Sequence, residues 1–301
     1  MSYRQRYRKK DGDITGIIVL LAAFVTWLAG VVVQVVFFVA IIVRLLLTLF
    51  VGAWKAVMRK GSDTMARRYL AFDIETAKEV PGEDFDWKPH RPLGISCAAA
   101  FPCDANKPLV WFGKNPDGTP AQRMSRGESE IVVRELAKLV SRGYTLLTWN
   151  GLGFDLDVLA EESGCHNECR ELALNHVDMM FHVFCDRGFP VSLEKAAQAL
   201  GIPGKPPGMS GLLAPQLWSQ GRYQDVLNYV VQDVRIILQV VSKCEARRRF
   251  EWLTRRGSLS TMDLPRGWLT VNDVLRLPEP DTSWMDSPIL RHEFTRWLNV
   301  G

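Results

Sequence analysis

The chain has no cysteine framework. Its six cysteines lie at 97, 103, 165, 169, 185 and 244, too scattered for the disulfide lattice of a small secreted domain. Reduced thiols in a cytosolic domain are the expectation. Cys165-His166-Asn167-Glu168-Cys169 looks like half a metal knuckle, but structural zinc takes four ligands and no second Cys/His pair sits nearby at a usual spacing. Histidine is scarce too, and His166, His176 and His182 stand without a convincing catalytic pairing. A basic surplus is missing outside the N-terminal end. Residues 1–60 carry nine Lys/Arg against two acids, whereas the remainder carries 28 basic against 31 acidic residues. The pI of 8.7 therefore belongs to the N-terminal end and gives no ground for a basic nucleic-acid-binding face elsewhere. Internal repeats are absent as well.

What the chain does have, at once, is apolar length. "ITGIIVLLAAFVTWLAGVVVQVVFFVAIIVRLLLTLFVGA" (14–53) is almost wholly hydrophobic, about twice the ~20 residues that span a bilayer. It is too long for a signal-peptide core, and no small-residue cleavage site follows. The expectation is a transmembrane segment over 14–54, after a basic flank (1–13) and before a linker (55–67). Two topologies stay open. Two spans bending near Gly30 or Gln34 would leave both basic flanks in the cytoplasm, but no Pro or Asn-Gly turn divides the run and Arg44 would sit inside the second span. One long tilted helix with Arg44 snorkelling is the alternative. In either case Lys55, Arg59, Lys60, Arg67 and Arg68 place the rest of the chain on the cytoplasmic side.

The remainder reads as a mixed sheet flanked by helices. "RRYLAFDIET", "LGISCAAAF" (93–101) and "PLVWFG" (108–113) form a strand meander. Ser125 and Glu128 have capping-box spacing ahead of a stripe of Val132, Leu136, Leu139 and Val140, which predicts a helix ending at Gly143. "YTLLTWNG" (144–151) is a fourth strand, followed by the helix "FDLDVLAEES". Further helices are expected around 175–186, over 192–201 and from about Tyr223 to Arg249, with the Pro/Gly loop "GIPGKPPGMSG" before the last. Strands first, then strand–helix alternation, then helices imply an α/β fold.

Three places in this scheme concentrate acids. Asp73 and Glu75 end the first strand one residue apart, so they project from one face while Ile74 points the other way. Asp155 opens a helix just after a strand and a glycine-bearing turn, a position where α/β sheets build sites. Tyr229 and Asp233 are spaced i, i+4 and share one helix face, about 100° round from the stripe of Val226, Val230, Val234, Ile237 and Val241. Each alone has a bland reading: a strand running into a polar loop, an acid favoured at a helix N-terminus, a surface pair.

Taken in order, Asp-x-Glu on a strand, Asn-x-x-x-Phe-Asp and Tyr-x-x-x-Asp resemble the DEDDy branch of the DEDD 3′–5′ exonuclease superfamily, over roughly residues 68–245. The segment "HVDMMFHVFCDRGFPVSLEKAAQALGIPGK" is similar to bacterial stand-alone members related to the family-B polymerase exonuclease domain. The resemblance implies a ribonuclease H-like fold over 68–249. It matches Asp73, Glu75, Asp155 and Asp233 to the four metal-binding carboxylates and Tyr229 to the residue that positions the attacking water. It also implies two Mg²⁺ or Mn²⁺ ions, a single-stranded DNA or RNA 3′ end as partner, and release of nucleoside 5′-monophosphates. With the apolar run, whose partner would be membrane lipid, it implies a membrane-tethered exonuclease whose catalytic domain faces the cytoplasm. The rival reading is a catalytically silent nucleic-acid-binding or membrane scaffold protein of the same fold.

Other residues carry open readings. Thr76 is placed to contact the terminal nucleotide. Asn150 either fixes its turn or touches substrate, and Phe154 either stacks near the site or packs. Lys205 either reaches a phosphate or is solvated. Asp178 and Asp157 read as a helix-turn partner and a surface acid. Residues 250–301 read as an appendage: a hairpin turning at Arg255-Arg256-Gly257, a short helix from Val271 and a last helix, packed on by Trp252, Trp268, Trp284 and Trp297. Arg247, Arg248, Arg249, Arg255 and Arg256 would contact a nucleic-acid backbone, face solvent or lie against anionic lipid.

Overall fold

The computed structural model describes residues 67–81, 87–204 and 210–299, together with Trp27, Leu28, Gly30 and Gln34. Those four are helical and exposed. The rest of the segment 14–54, the flank 1–13, all of the linker but Arg67, and Lys205 lie outside the described residues. Among the described residues no helix is long and apolar enough to cross a membrane. Residues from Arg67 onward form one compact unit.

Its centre is a five-stranded mixed sheet in the order β3-β2-β1-β4-β5. β1 (Arg68–Thr76), β2 (Ile95–Pro102) and β3 (Leu109–Phe112) are the antiparallel meander, and β4 (Tyr144–Thr148) and β5 (Val177–Asp178) add on in parallel. β1 is central and loses almost all of its surface from Tyr69 onward. Its alternation sends Tyr69 and Ala71 to one core and Leu70, Phe72 and Ile74 to another, as a two-residue period requires.

Helices cover both faces. α1 (Arg126–Ser141) starts at the reciprocal Ser125/Glu128 capping box and buries Val132, Val133 and Leu136. α2 (Asp155–Ser163), α3 (His166–Asn175) and α4 (Met179–Arg187) follow β4. α2 stops at Gly164, whose φ of 72° strains any residue with a Cβ. α5 (Leu193–Ala199), α6 (Ala214–Ser219) and the 25-residue α7 (Tyr223–Arg247) close the other face. All five residues of the expected α7 stripe are buried.

The chain then forms the hairpin β6 (Arg249–Leu253) and β7 (Leu259–Asp263), α8 (Val271–Val274), α9 (His292–Thr295) and a 3₁₀ turn over Arg296–Asn299. Phe250, Trp252 and Trp268 join the α7-side core, while Val271, Val274 and Trp297 join the α1-side core.

Several expectations need correction. The fourth strand stops at Thr148, because Asn150 adopts φ 73° and breaks the ladder. The helix expected around 175–186 begins only at Met179, as α4, because Val177 and Asp178 form β5, a two-residue strand with no period to read. Asp157 is no surface acid. It is 4% exposed and receives Arg91 Nη2 at 2.7 Å, which compensates a buried charge. Trp284 stays 65% exposed, edge-on to Phe189, rather than packing into the domain.

His182 is buried edge-on to Trp268. Burial, and then the Arg266 charge, pull its pKa down to about 4. The unfolded chain binds this proton below the ordinary value of ~6.5, so stability is full above that pH and declines as pH falls toward 4. Urea unfolding should show this group costing up to about 3 kcal/mol between pH 7 and 4. His182→Gln should flatten the profile by that amount, and an unchanged slope would contradict the assignment.

Candidate functional site

The site grows from the side of β1 that faces α7. Asp73 and Glu75 continue the alternation of Tyr69 and Ala71, so they emerge toward that helix while Ile74 stays in the opposite core. Across the ladder Asp73 pairs with Ala99 and Glu75 with Cys97. Both neighbours are small and leave room for carboxylates. Cys97 remains a thiol, since burial, then the Glu75 charge, push its pKa well up. The register shifts between Glu75 and Thr76, and Thr76 ends the strand, 5% exposed.

α7 supplies the other wall. Asp233 brings its carboxylate to the β1 pair, and ligand-type oxygens of Asp73, Glu75 and Asp233 all lie within 4.8 Å of one another. Glu75 and Asp233 are 5% exposed and Asp73 is half-buried, so the cluster opens on the Asp73 side. One turn earlier Tyr229 is 2% exposed. Burial first, then the charges of Asp233, Glu75 and Asp73 and a hydrogen bond to Asp233, hold its phenol far above the ordinary value. The phenol keeps its proton at any physiological pH.

Asp155 joins from a third element. It is the first residue of α2 and 2% exposed. Its Oδ1 accepts the Ile74 N–H at 3.0 Å, which ties the helix start to the strand between the two acids. Burial pushes its carboxyl up to about 7, Asp178 adding to the rise and a side-chain hydrogen bond to Asp73 opposing it. The structure thus gathers Asp73, Glu75 and Asp233 into one cluster with Tyr229 inside, and places Asp155 beside it through Asp73.

The turn that delivers Asp155 is held from outside. Asp178 Oδ1 accepts the N–H groups of Asn150 and Phe181, each at 3.0 Å, and Oδ2 that of Leu152 at 2.9 Å. Thr148 Oγ accepts Gly151 N–H at 3.1 Å and meets His176 Nε2 at 3.0 Å. His176 Nδ1 faces the Ala173 carbonyl at 2.6 Å, and a carbonyl only accepts, so the proton sits on Nδ1. Burial lowers the pKa of His176, so Nε2 is free to accept the Thr148 hydroxyl.

The C-terminal segment presses on the same turn. Trp297 Nε1 donates to Leu152 O at 2.8 Å. A Cβ at Gly153 would lie 2.6 Å from Asn150 Oδ1 and 2.7 Å from Phe294 Cδ1. A side chain there would displace Asn150 or the Phe294 ring. Asn150 Oδ1 is buried and takes no donor among the described residues. Phe154 packs edge-on to Trp87 at 5.2 Å. Phe294 and Trp297 were not readable as site supports, because nothing in an aromatic near the chain end signals which loop it will meet. Asp178 was more legible, as a short polar residue before an apolar helix is an N-cap signature.

A five-stranded mixed sheet flanked by helices fits an RNase H-like fold. Residues 114–244 match the RNase_H_2 family model of the RNase_H superfamily. That stretch contains Asp155, Tyr229 and Asp233, while Asp73 and Glu75 precede it. Among solved structures, the family B DNA polymerase from the hyperthermophilic archaeon Pyrobaculum calidifontis is similar at 20% identity and a TM-score of 0.43. The similarity covers 60% of this chain and 24% of that one, about a quarter of the polymerase. No curated protein matches the chain.

Asp178→Ala should strand three N–H groups, two of them buried, and cost about 3–5 kcal/mol in urea unfolding. Trp297→Phe loses that hydrogen bond and part of the buried ring, so about 2–3 kcal/mol is expected. Equal stability of Asp178→Ala and the parent would show that Asp178 does not hold the turn.

Proposed function

We propose that the protein is a membrane-tethered, divalent-metal-dependent 3′–5′ exonuclease. It hydrolyses phosphodiester bonds from the 3′ end of single-stranded DNA or RNA and releases nucleoside 5′-monophosphates. The observation that carries this reading is the convergence of Asp73, Glu75 and Asp233 within 4.8 Å. Two like charges 4 Å apart repel by about 4 kcal/mol at an effective dielectric near 20, so such a cluster is costly without cations. An all-oxygen, anionic donor set suits hard ions such as Mg²⁺ or Mn²⁺. Two ions bound there would supply Lewis acidity for an attacking water and a departing 3′ oxygen.

The residues divide the remaining work. Asp73, Glu75, Asp155 and Asp233 hold the ions. Tyr229, locked as a neutral phenol, orients the attacking water by hydrogen bonding and cannot serve as its base. Thr76 and Asn150 border the terminal nucleotide, Phe154 supports the turn beneath it, and Lys205 contacts a phosphate. The apolar run 14–54 anchors the chain in lipid, with the nuclease domain on the cytoplasmic side.

Labelled single-stranded DNA and RNA oligonucleotides, incubated with the detergent-solubilised chain and Mn²⁺, test the reading. A ladder shortening from the 3′ end is expected, and chelation should stop it. Asp73→Ala and Asp233→Asn should fall to background while circular dichroism stays unchanged. Equal cleavage by the parent and both variants would remove the site, and no cleavage by any of them would favour the silent scaffold. Tyr229→Phe should slow turnover about 10- to 100-fold through a misplaced water while Mn²⁺ affinity holds. An unchanged rate would contradict the positioning role.

A further inference from the structure

Arginines crowd one end of the 67–301 unit. Arg247, Arg248 and Arg249 lead into the β6–β7 hairpin, Arg255 and Arg256 form its tip, and Arg266 follows it. All six are exposed. Two are neutralised in place, Arg247 by Glu251 at 2.8 Å and Arg249 by Asp263 at 3.1 Å. Arg248, Arg255, Arg256 and Arg266 enter no ion pair among the described residues. Beside the tip Leu259 is 58% exposed. An apolar side chain among unpaired arginines suits an interface where aliphatic groups sink and guanidinium groups stay with anions.

The position of this hairpin decides between anions. α7 runs from Asp233 to Arg247, about 21 Å at the helical rise. β1 runs the opposite way from Arg68 to Glu75, about 23 Å at the strand rise. At the hairpin end the Tyr69 hydroxyl bonds Glu245, and Arg67 Nη1 donates to the Trp268 carbonyl at 2.7 Å. The polypeptide therefore comes into the unit at the base of the hairpin, a full sheet length from the carboxylates. Residue 54, the end of the apolar run, is 13 residues before Arg67, at most about 45 Å even if fully extended. Lys55, Arg59 and Lys60 fill part of that interval. A nucleic-acid strand with its 3′ end at the carboxylates would have to track some 20 Å of the unit to meet Arg255.

We infer that the arginine hairpin is a lipid-docking surface that rests on the anionic headgroups of the bilayer, leaving the carboxylate end of the sheet on the far side. This rests on the reading of 14–54 as a membrane anchor. Each arginine near an anionic surface strengthens attachment about fivefold, so Arg255 and Arg256 together act as a second, charge-dependent contact. The anchor sets where the unit is, and the hairpin sets which way it faces.

The full chain in nanodiscs tests this, with phosphatidylcholine alone or mixed with phosphatidylserine, read by amide hydrogen exchange. Exchange over 254–259 should slow about fivefold or more in the anionic discs relative to the neutral ones. High salt should erase the difference. Arg255→Glu with Arg256→Glu should erase it too, while cleavage of a short oligonucleotide in detergent stays at the parental rate, which also verifies folding. Insertion into both discs with equal exchange overturns the docking surface and leaves the anchor standing. Failure to enter either disc overturns the anchor and the docking with it. Slowing caused by a single-stranded oligonucleotide in neutral discs, with none from anionic lipid, reassigns the arginines to nucleic acid and overturns the proposal.

Discussion

Three carboxylates that repel one another are held within 4.8 Å, and the rest of the unit is organised around tolerating that. The holding force is not local. β1 is fixed by apolar burial on both of its faces, Tyr69 and Ala71 against α7 and Leu70, Phe72 and Ile74 against the α1 side. α7 is fixed by its stripe from Val226 to Val241. Neither element can turn its acids away without exposing that stripe. Each fully buried Val or Leu contributes about 1.5–3 kcal/mol, so a handful of core contacts outweighs the charge repulsion at the strand end.

The support of Asp155 has a different physical basis. Its helix begins after an irregular turn, and irregular backbone needs explicit partners for its polar groups. Asp178 takes three N–H groups, Thr148 and neutral His176 form a relay beneath, and Trp297 takes the Leu152 carbonyl. These contacts draw on three separate stretches of chain. The last of them lies in the C-terminal segment, which makes that segment part of the site's frame. A turn fixed this way presents its carboxyl with little freedom, the condition under which a positioned group acts without reorganising.

The unit is also polar in the geometric sense. Because α7 and β1 run antiparallel, the acids occupy one end and the arginine-rich hairpin the other. Opposite charges at opposite ends keep the hairpin from neutralising the cluster, and Arg247 and Arg249 pair instead with Glu251 and Asp263 beside them. The net charge of the remainder, 28 basic against 31 acidic residues, conceals this separation.

Much was legible in the chain itself. The period of two in "LAFDIET" put Asp73 and Glu75 on one face, the period of 3.6 put Tyr229 and Asp233 on one flank of a buried helix, and Ser125 with Glu128 marked a helix start. These are short-range facts, set by the geometry of a single element. What the sequence could not state is where one element's flank meets another's. The approach of the Asp233 carboxylate to within 4.8 Å of Asp73 and Glu75, the burial of Asp157 against Arg91, the two-residue β5 and the closing of Trp297 on Leu152 all depend on pairing between stretches far apart in the chain. No local period encodes them, because they arise from how two apolar cores close around one sheet. The sequence by itself determined which acids, and which tyrosine with its acid, share a face of one element. Only the tertiary structure decided that they meet, since that distance is fixed by packing between elements and not by bonding along them.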